Sequence, residues 1–165
     1  MQIIAIVGPA GAGKDTAAKM LSQMIGIPVL VSYTTRPIRE GEVDGREHIF
    51  VEKCDMPKQD MLAYTEYGGY EYWAMVNQVE DACIYVIDEE GLRSMKRRFP
   101  FIDLTTIHIK ATRFVRRMRG VSMERMNRDD LREQLPLDYF NFSIHNNGGK
   151  DELHAQLRAI CEKII

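Results

Sequence analysis

Short apolar runs alternate with amphipathic stretches along the chain. Ile3 to Val7 (IIAIV) is a continuous apolar run, as expected of a strand buried on both faces of a parallel sheet. Residues 8 to 13 read as a loop. Asp15 to Met24 reads as a helix with Ala17, Ala18, Leu21 and Met24 on one side. Val29 to Val31 predicts a second short strand. Residues 32 to 46 hold Pro37, Gly41, Gly45 and many charges, which predicts a long connection. Ile49 to Val51 and Ala63 to Tyr67 predict strands of a small subdomain, and Ala74 to Asp81 a short helix. Cys83 to Ile87 (CIYVI) is another buried-type strand, ended by Asp88. A helix follows over Glu89 to Phe99, stopped by Pro100. Leu104 to Ile109 reads as a strand. Residues 113 to 135 are helical and strongly basic, interrupted near Gly120. Phe140 to Ile144 is a last strand. Asp151 to Ile164 closes as a helix with Leu153, Leu157, Ile160 and Ile164 at helical spacing.

Strands alternating with helices predict an α/β fold, a parallel sheet flanked by helices and joined by right-handed crossovers. The 165 residues suit one domain. Its core would comprise 1–32, 76–112 and 133–165. The insertion 33–75 and the basic hairpin 113–132 would project from it. Hydrophobic residues make up 45% and charged residues 28%, ordinary values for a globular chain. A net charge of -2 supplies no global basic field and argues against a nucleic-acid partner. Cys54, Cys83 and Cys161 are odd in number and form no C-x-x-C pair, which predicts free thiols in a reducing compartment. No apolar run reaches the length of a membrane span. Residues 1 to 7 follow no basic stretch and lead into Gly-Pro-Ala-Gly, so they read as a strand and not a signal peptide. A cytoplasmic protein with no membrane partner is expected. Oligomeric state is not legible.

Gly8-Pro-Ala-Gly-Ala-Gly13-Lys14 matches the first seven positions of the phosphate-loop pattern G-x-x-x-x-G-K-[ST]. Glycines let the backbone curl so that several N–H groups converge on an anion. The helix behind the loop aims its N-terminus at the phosphates. Gly8, Ala10, Gly11, Ala12, Gly13 and Lys14 are the expected ATP-binding residues, with the Lys14 charge on the transferring phosphate. A chance glycine-rich turn would not also sit between a buried strand and a helix. The hydroxyl expected after the lysine is replaced by Asp15 and comes one residue later, at Thr16. Asp15 is either a hard oxygen ligand for Mg²⁺ or a helix N-cap, and the two are compatible.

The segment Val31-Ser-Tyr-Thr-Thr-Arg-Pro-Ile-Arg-Glu-Gly-Glu-Val-Asp-Gly45 resembles the guanylate kinase signature nearly letter for letter. Tyr72 stands at the tyrosine of the family's G-N-x-Y-G-T. Val86 to Gly91 stands for D-I-D-x-Q-G, Arg119-Gly120 begins the lid, and Phe140 to Gly148 resembles the terminal strand and its V-N-D loop. The resemblance covers essentially the whole chain. It implies a P-loop NTPase core with a small acceptor-binding insertion and a short lid, transferring phosphate from ATP, with Mg²⁺, to a small phosphate-bearing acceptor, GMP or dGMP first. Ser32, Arg36 and Arg39, assisted by Tyr72, would hold the acceptor's phosphate through charge-assisted hydrogen bonds. Outside such a context a charged Arg-Pro-x-Arg run is usually solvated. Asp88, at the C-terminal end of a buried strand, would organise Mg²⁺ or the acceptor sugar, or else cap the following helix.

Seven arginines lie between 113 and 132, namely Arg113, Arg116, Arg117, Arg119, Arg125, Arg128 and Arg132. The acidic residues among them argue against a nucleic-acid groove. By resemblance Arg119, Arg125 and Arg128 would neutralise the transferring phosphoryl group, although this lid is a few residues shorter than the family's. Asn146 would sit near the adenine, or is simply a turn residue. The family reads guanine with a glutamate and a hydroxyl. Those positions fall on Ala63 and Ala74, the glycine between tyrosine and hydroxyl on Trp73, and a further tyrosine on His48. Glu66 would supply the missing carboxylate if the loop before Tyr72 were shortened, and Trp73 would stack on a base or pack in the core. Base discrimination is therefore expected to be weak or redirected. Another or modified deoxynucleotide, or ribose 1,5-bisphosphate, is the alternative acceptor. A non-catalytic interaction module is the alternative class, disfavoured by Lys14.

Overall fold

The computed structural model describes residues 1–164; the last residue of the expected core segment, Ile165, lies outside them. Four strands form a parallel sheet in the order β6-β1-β7-β8: β1 (Gln2–Val7), β6 (Ala82–Val86), β7 (Asp103–Lys110) and β8 (Phe142–His145). The two strands β1 and β6 are near-continuous apolar runs because both of their faces are covered. One face packs on α1 (Lys14–Ile25) and α5 (Lys150–Ile164), burying Ile4, Ile6, Leu21, Ile107, Leu153 and Leu157. The other buries Ile3, Ala5, Val7, Cys83, Tyr85 and Ile87 against α2 (Glu89–Arg98) and the inserted hairpin.

The insertion is a second sheet, order β3-β2-β5-β4, built from β2 (Tyr33–Thr34), β3 (Ile49–Phe50), β4 (Met61–Tyr67) and β5 (Tyr70–Met75). Gly68 and Gly69 both have positive φ, 61° and 82°, as a two-residue type I′ hairpin turn requires. This corrects the helix expected over 74–81. Ala74 and Met75 end β5, and only Val76–Gln78 makes one 3₁₀ turn. Gln78 bonds the Met75 N–H with Oε1 and donates Nε2 to the Val31 carbonyl, both at 2.8 Å. Those bonds tie this turn to the core. The strand expected at 29–31 is a single parallel bridge, Val29 to Ile84. Pro28 brings no N–H to extend it, and the Val31 carbonyl is taken by Gln78.

The basic region splits into α3 (Arg113–Met118) and α4 (Met123–Leu131). Gly120, at φ 95°, breaks it. Thr112 and Ser122 cap the two helices by accepting from Val115 and Arg125. No helix among the described residues is long and apolar enough to cross a membrane.

Candidate active site

The loop between β1 and α1 is held from several sides. A Cβ on Gly8 would lie 2.3 Å from the Ile109 carbonyl oxygen, so only glycine lets β1 turn there. Gly13 has φ 97°, and a Cβ on it would strike the Asn146 amide at 2.4 Å. Asn146 donates that Nδ2 to the Ala12 carbonyl at 2.8 Å. It is buried and props the phosphate loop, and it is not among the residues that line the cleft in front of that loop. Lys14 Nζ donates to the Gly8 carbonyl at 2.6 Å. Burial, then the Arg132 charge, lowers its pKa. Gly13 is the N-cap of α1, so the cap reading of Asp15 fails. Asp15 is exposed in the first helical turn and lines the cleft, whereas Thr16 does not.

In front of this loop lies a cleft of about 400 Å³, bounded by the strand ends, the insertion and α4. Ser32, Arg36, Arg39, His48 and Tyr72 all line it, as the sequence implied. Arg36 forms two hydrogen bonds to Glu42, at 2.7 and 3.0 Å, and Glu42 also accepts the Arg39 N–H at 2.7 Å. Those bonds hold the Glu42 carboxyl down at about 2. Ser32 Oγ lies 3.0 Å from His48 Nδ1. Burial and the Arg36 charge keep His48 below the usual histidine value. Burial, then the charges of Arg36 and Arg125, press Arg39 down. Arg125 on α4 thus faces Arg39 across the cleft, and an anion between them would relieve the repulsion.

Arg125 and Arg128 line the cleft as expected; Arg119 does not. Its guanidinium donates to the carbonyls of Gly11 at 2.9 Å and Asn146 at 2.8 Å, clamping the outside of the phosphate loop. Sequence reasoning passed over Arg116, Arg132 and Asp129. Asp129 is buried; its Oδ2 accepts the Ala10 N–H at 2.8 Å and its Oδ1 the Tyr67 hydroxyl at 3.0 Å. Arg116 and Arg132 flank it at 3.9 and 3.6 Å. Each keeps a buried N–H without a partner, as does Arg128. The only hint in the sequence was an arginine every few residues around an acidic pair.

At the far end of the cleft the hairpin register pairs Ala63 with Ala74 and Thr65 with Tyr72. Glu66 pairs with Glu71 and alternates to the opposite face, where Tyr64 Oη lies 2.8 and 2.6 Å from the two carboxylates. Glu66 therefore does not line this cleft, a correction set by the period of the strand. Trp73 stacks on Tyr33, centroids 5.5 Å apart, and is core. Asp88 Oδ1 accepts the Gly91 N–H at 2.6 Å and so caps α2. It also lines the cleft, and burial raises its pKa. No group of three or more His, Cys, Asp or Glu among the described residues is placed to hold a metal.

Residues 1–163 match the family model described as guanylate kinase. A guanylate kinase of Gloeobacter violaceus is 30% identical over 183 aligned positions, 99% of this chain and 88% of that protein. One of Rhodopseudomonas palustris is 49% identical over 69 residues, 41% of this chain and 29% of the relative. The crystal structure of guanylate kinase from Anaplasma phagocytophilum superposes with a TM-score of 0.70 at 20% identity, covering 98% of this chain and 83% of that one. That likeness bears out the expected α/β core.

Proposed function

The chain belongs to the guanylate kinase family of P-loop nucleoside monophosphate kinases, and we propose that it transfers the γ-phosphoryl group of ATP to GMP or dGMP. The carrying observation is that two anion seats share one cleft. One is the glycine loop with Lys14; the other is Arg36, Arg39 and Ser32. ATP would lie on the loop, with Lys14 released from the Gly8 carbonyl to its terminal phosphates. The acceptor's phosphate would take the second seat, Tyr72 alongside. Arg125 and Arg128, with Arg132, would bear on the group in transit.

Asp15 and Asp88 both line the cleft, and carboxylates suit a hard cation. They are the residues that would hold Mg²⁺, and the ion would supply neutralisation of phosphate charge. The segments 33–75 and 113–132 are the parts proposed to close over the substrates, which excludes water.

A second acceptor reading rests on Ala63 and Ala74. Neither can bond a guanine edge, which keeps another deoxynucleotide or ribose 1,5-bisphosphate in view. The test is ADP release coupled to product identification across nucleoside monophosphates, their deoxy forms and ribose 1,5-bisphosphate. A diphosphate product from a guanine nucleotide supports the reading. Turnover of the sugar bisphosphate alone overturns it. ATP raising the melting temperature, without turnover of any acceptor, would point to a binding module.

A further inference from the structure

Two hydroxyl groups at the far end of the cleft are unaccounted for by the phosphate-binding machinery. Tyr85, on β6, is 4% exposed and Thr65, on β4, is 9% exposed. Both line the cleft, neither side-chain oxygen bonds to another described residue, and neither is among the buried atoms left without a partner, so both hydroxyls open onto the cleft. A hydroxyl that opens onto a cleft and makes no bond within the chain is free to donate to and accept from a ligand. Tyr85 belongs to the same apolar cluster as Ala63 and Ala74, and Thr65 follows Ala63 on the same face of its strand. These hydroxyls therefore stand beside the two alanines.

Of the five carboxylates that line the cleft, three are committed elsewhere and none stands on the β4–β5 hairpin. Glu42 is held by Arg36, Glu47 by Arg46 and the Val43 N–H, and Asp129 by the phosphate loop. Asp88 caps α2, and Asp15 stands on the first turn of α1. None is available on the hairpin face. Two adjacent N–H donors on a ring, as in the N1–H and 2-amino group of guanine, call for the paired oxygens of a carboxylate. A hydroxyl donates and accepts at once, and so suits a ring carbonyl beside an N–H.

We propose that Tyr85 and Thr65 contact the ring edge of the acceptor, so that the cleft takes 6-oxopurine monophosphates without reading the 2-amino group. This rests on the monophosphate reading above and deepens it. The 6-oxo group accepts from one hydroxyl and N1–H donates to the other. The 2-amino position then faces the Ala63 methyl, which offers no reward for its presence. A site built to bond a group rejects the analogue lacking it by orders of magnitude; a site not so built barely notices.

The experiment is calorimetric titration of the full chain with GMP and with IMP, without ATP, alongside turnover with ATP. The expected dissociation constants agree within about threefold, and Tyr85→Phe weakens both by about tenfold. Thr65→Val does the same in part, while Thr65→Ser stays within about twofold of the parent. Both losses remove one oxygen and keep the shape, and circular dichroism verifies folding. GMP binding more than about thirtyfold tighter than IMP overturns the proposal, because a donor pair would then be read. So does an unchanged affinity in both Tyr85→Phe and Thr65→Val, or no binding of either nucleotide. Hydroxyl-dependent binding without turnover leaves the proposal standing and removes the phosphotransfer reading instead.

Discussion

The two ends of the cleft solve the problem of burial differently. At the phosphate end the strong charges are met only in part from within the chain: Arg36 by Glu42 and Lys14 by the Gly8 carbonyl, while Arg116, Arg128 and Arg132 each keep a buried N–H without a partner. At the ring end Ala63, Thr65 and Tyr85 line the cleft without charge, Ala74 is buried behind them, and the two hydroxyls open onto the cleft. An unmet buried charge costs several kcal/mol, whereas an unmet hydroxyl costs roughly 1–3. A chain can leave the second kind open to a ligand and still fold. The phosphate end would therefore both exchange partners and gain them when substrate arrives, whereas the ring end only gains them.

That contrast makes mutations at the phosphate end the more severe. Lys14→Ala should fold normally and lose about 10³-fold in kcat, since it removes a positioned charge from the transferring group. Near-normal turnover would break the comparison at its strongest point. Arg36→Ala and Arg39→Ala come next. Each should raise the KM of every acceptor by a similar factor, on the order of 10- to 100-fold, because a guanidinium there sees phosphate and no ring. Steady-state kinetics with GMP, dGMP and one other monophosphate checks this. A penalty differing more than about tenfold between acceptors would show that the ends are not separable.

Asp129 tests the exchange itself. Its carboxylate ties α4, the hairpin residue Tyr67 and the phosphate loop together. Asp129→Ala leaves Arg116 without its buried counter-charge and Arg132 with Glu89 alone, and a loss of about 2–4 kcal/mol in stability is expected. ATP should recover part of it, because its phosphates bring negative charge to the same arginines. Thermal melts with and without ATP give the result. The ATP-induced rise should be larger in the variant than in the parent; equal rises would mean that Asp129 and the nucleotide do not meet the same groups.

The phosphate end was far more legible in the sequence than the ring end, for a physical reason. A phosphate loop is local: glycines, a lysine and a helix start follow one another, and Ser32, Arg36 and Arg39 lie within one loop. Arg119 and Arg132 are the same residue type in the same basic stretch, yet one clamps the loop from outside and the other lines the cleft. The break at Gly120 sets the phase of α4 independently of α3, and periodicity alone does not carry across it. The bond by which Asn146 props the phosphate loop was not legible, because its partner lies 134 residues away. The hairpin was missed where it was legible. Gly68-Gly69 between aromatic flanks is a two-residue turn pattern, and following it would have fixed the Ala63–Ala74 pair and turned Glu66 away from the cleft. Tyr85 read only as one letter of a buried strand, since nothing local marks a tyrosine whose hydroxyl reaches a cleft.

The smallest effect expected is on acid stability, and it separates the site from the core. His48 sits at the phosphate end and is held below the ordinary value of 6.5 by burial and Arg36. His108 sits in β7, stacked on Phe140 with centroids 4.5 Å apart, and burial, then Lys110 and His145, push it down to about 4. Both rings are favoured neutral in the fold, while the unfolded chain binds the proton more readily. Their contribution to stability is therefore complete above about pH 6.5 and lost as pH falls towards 4. For the half-buried His108 ring the loss is about 1–2 kcal/mol once solvent screening is allowed for. Melting temperatures at pH 7, 6, 5 and 4 should fall, and fall less in His108→Phe, which keeps the stack. His48→Gln should flatten the same curve by a smaller amount. It should also act on the KM for GMP, which His108→Phe leaves untouched. If His108→Phe moved that KM while His48→Gln did not, the phosphate end would have to be redrawn around β7.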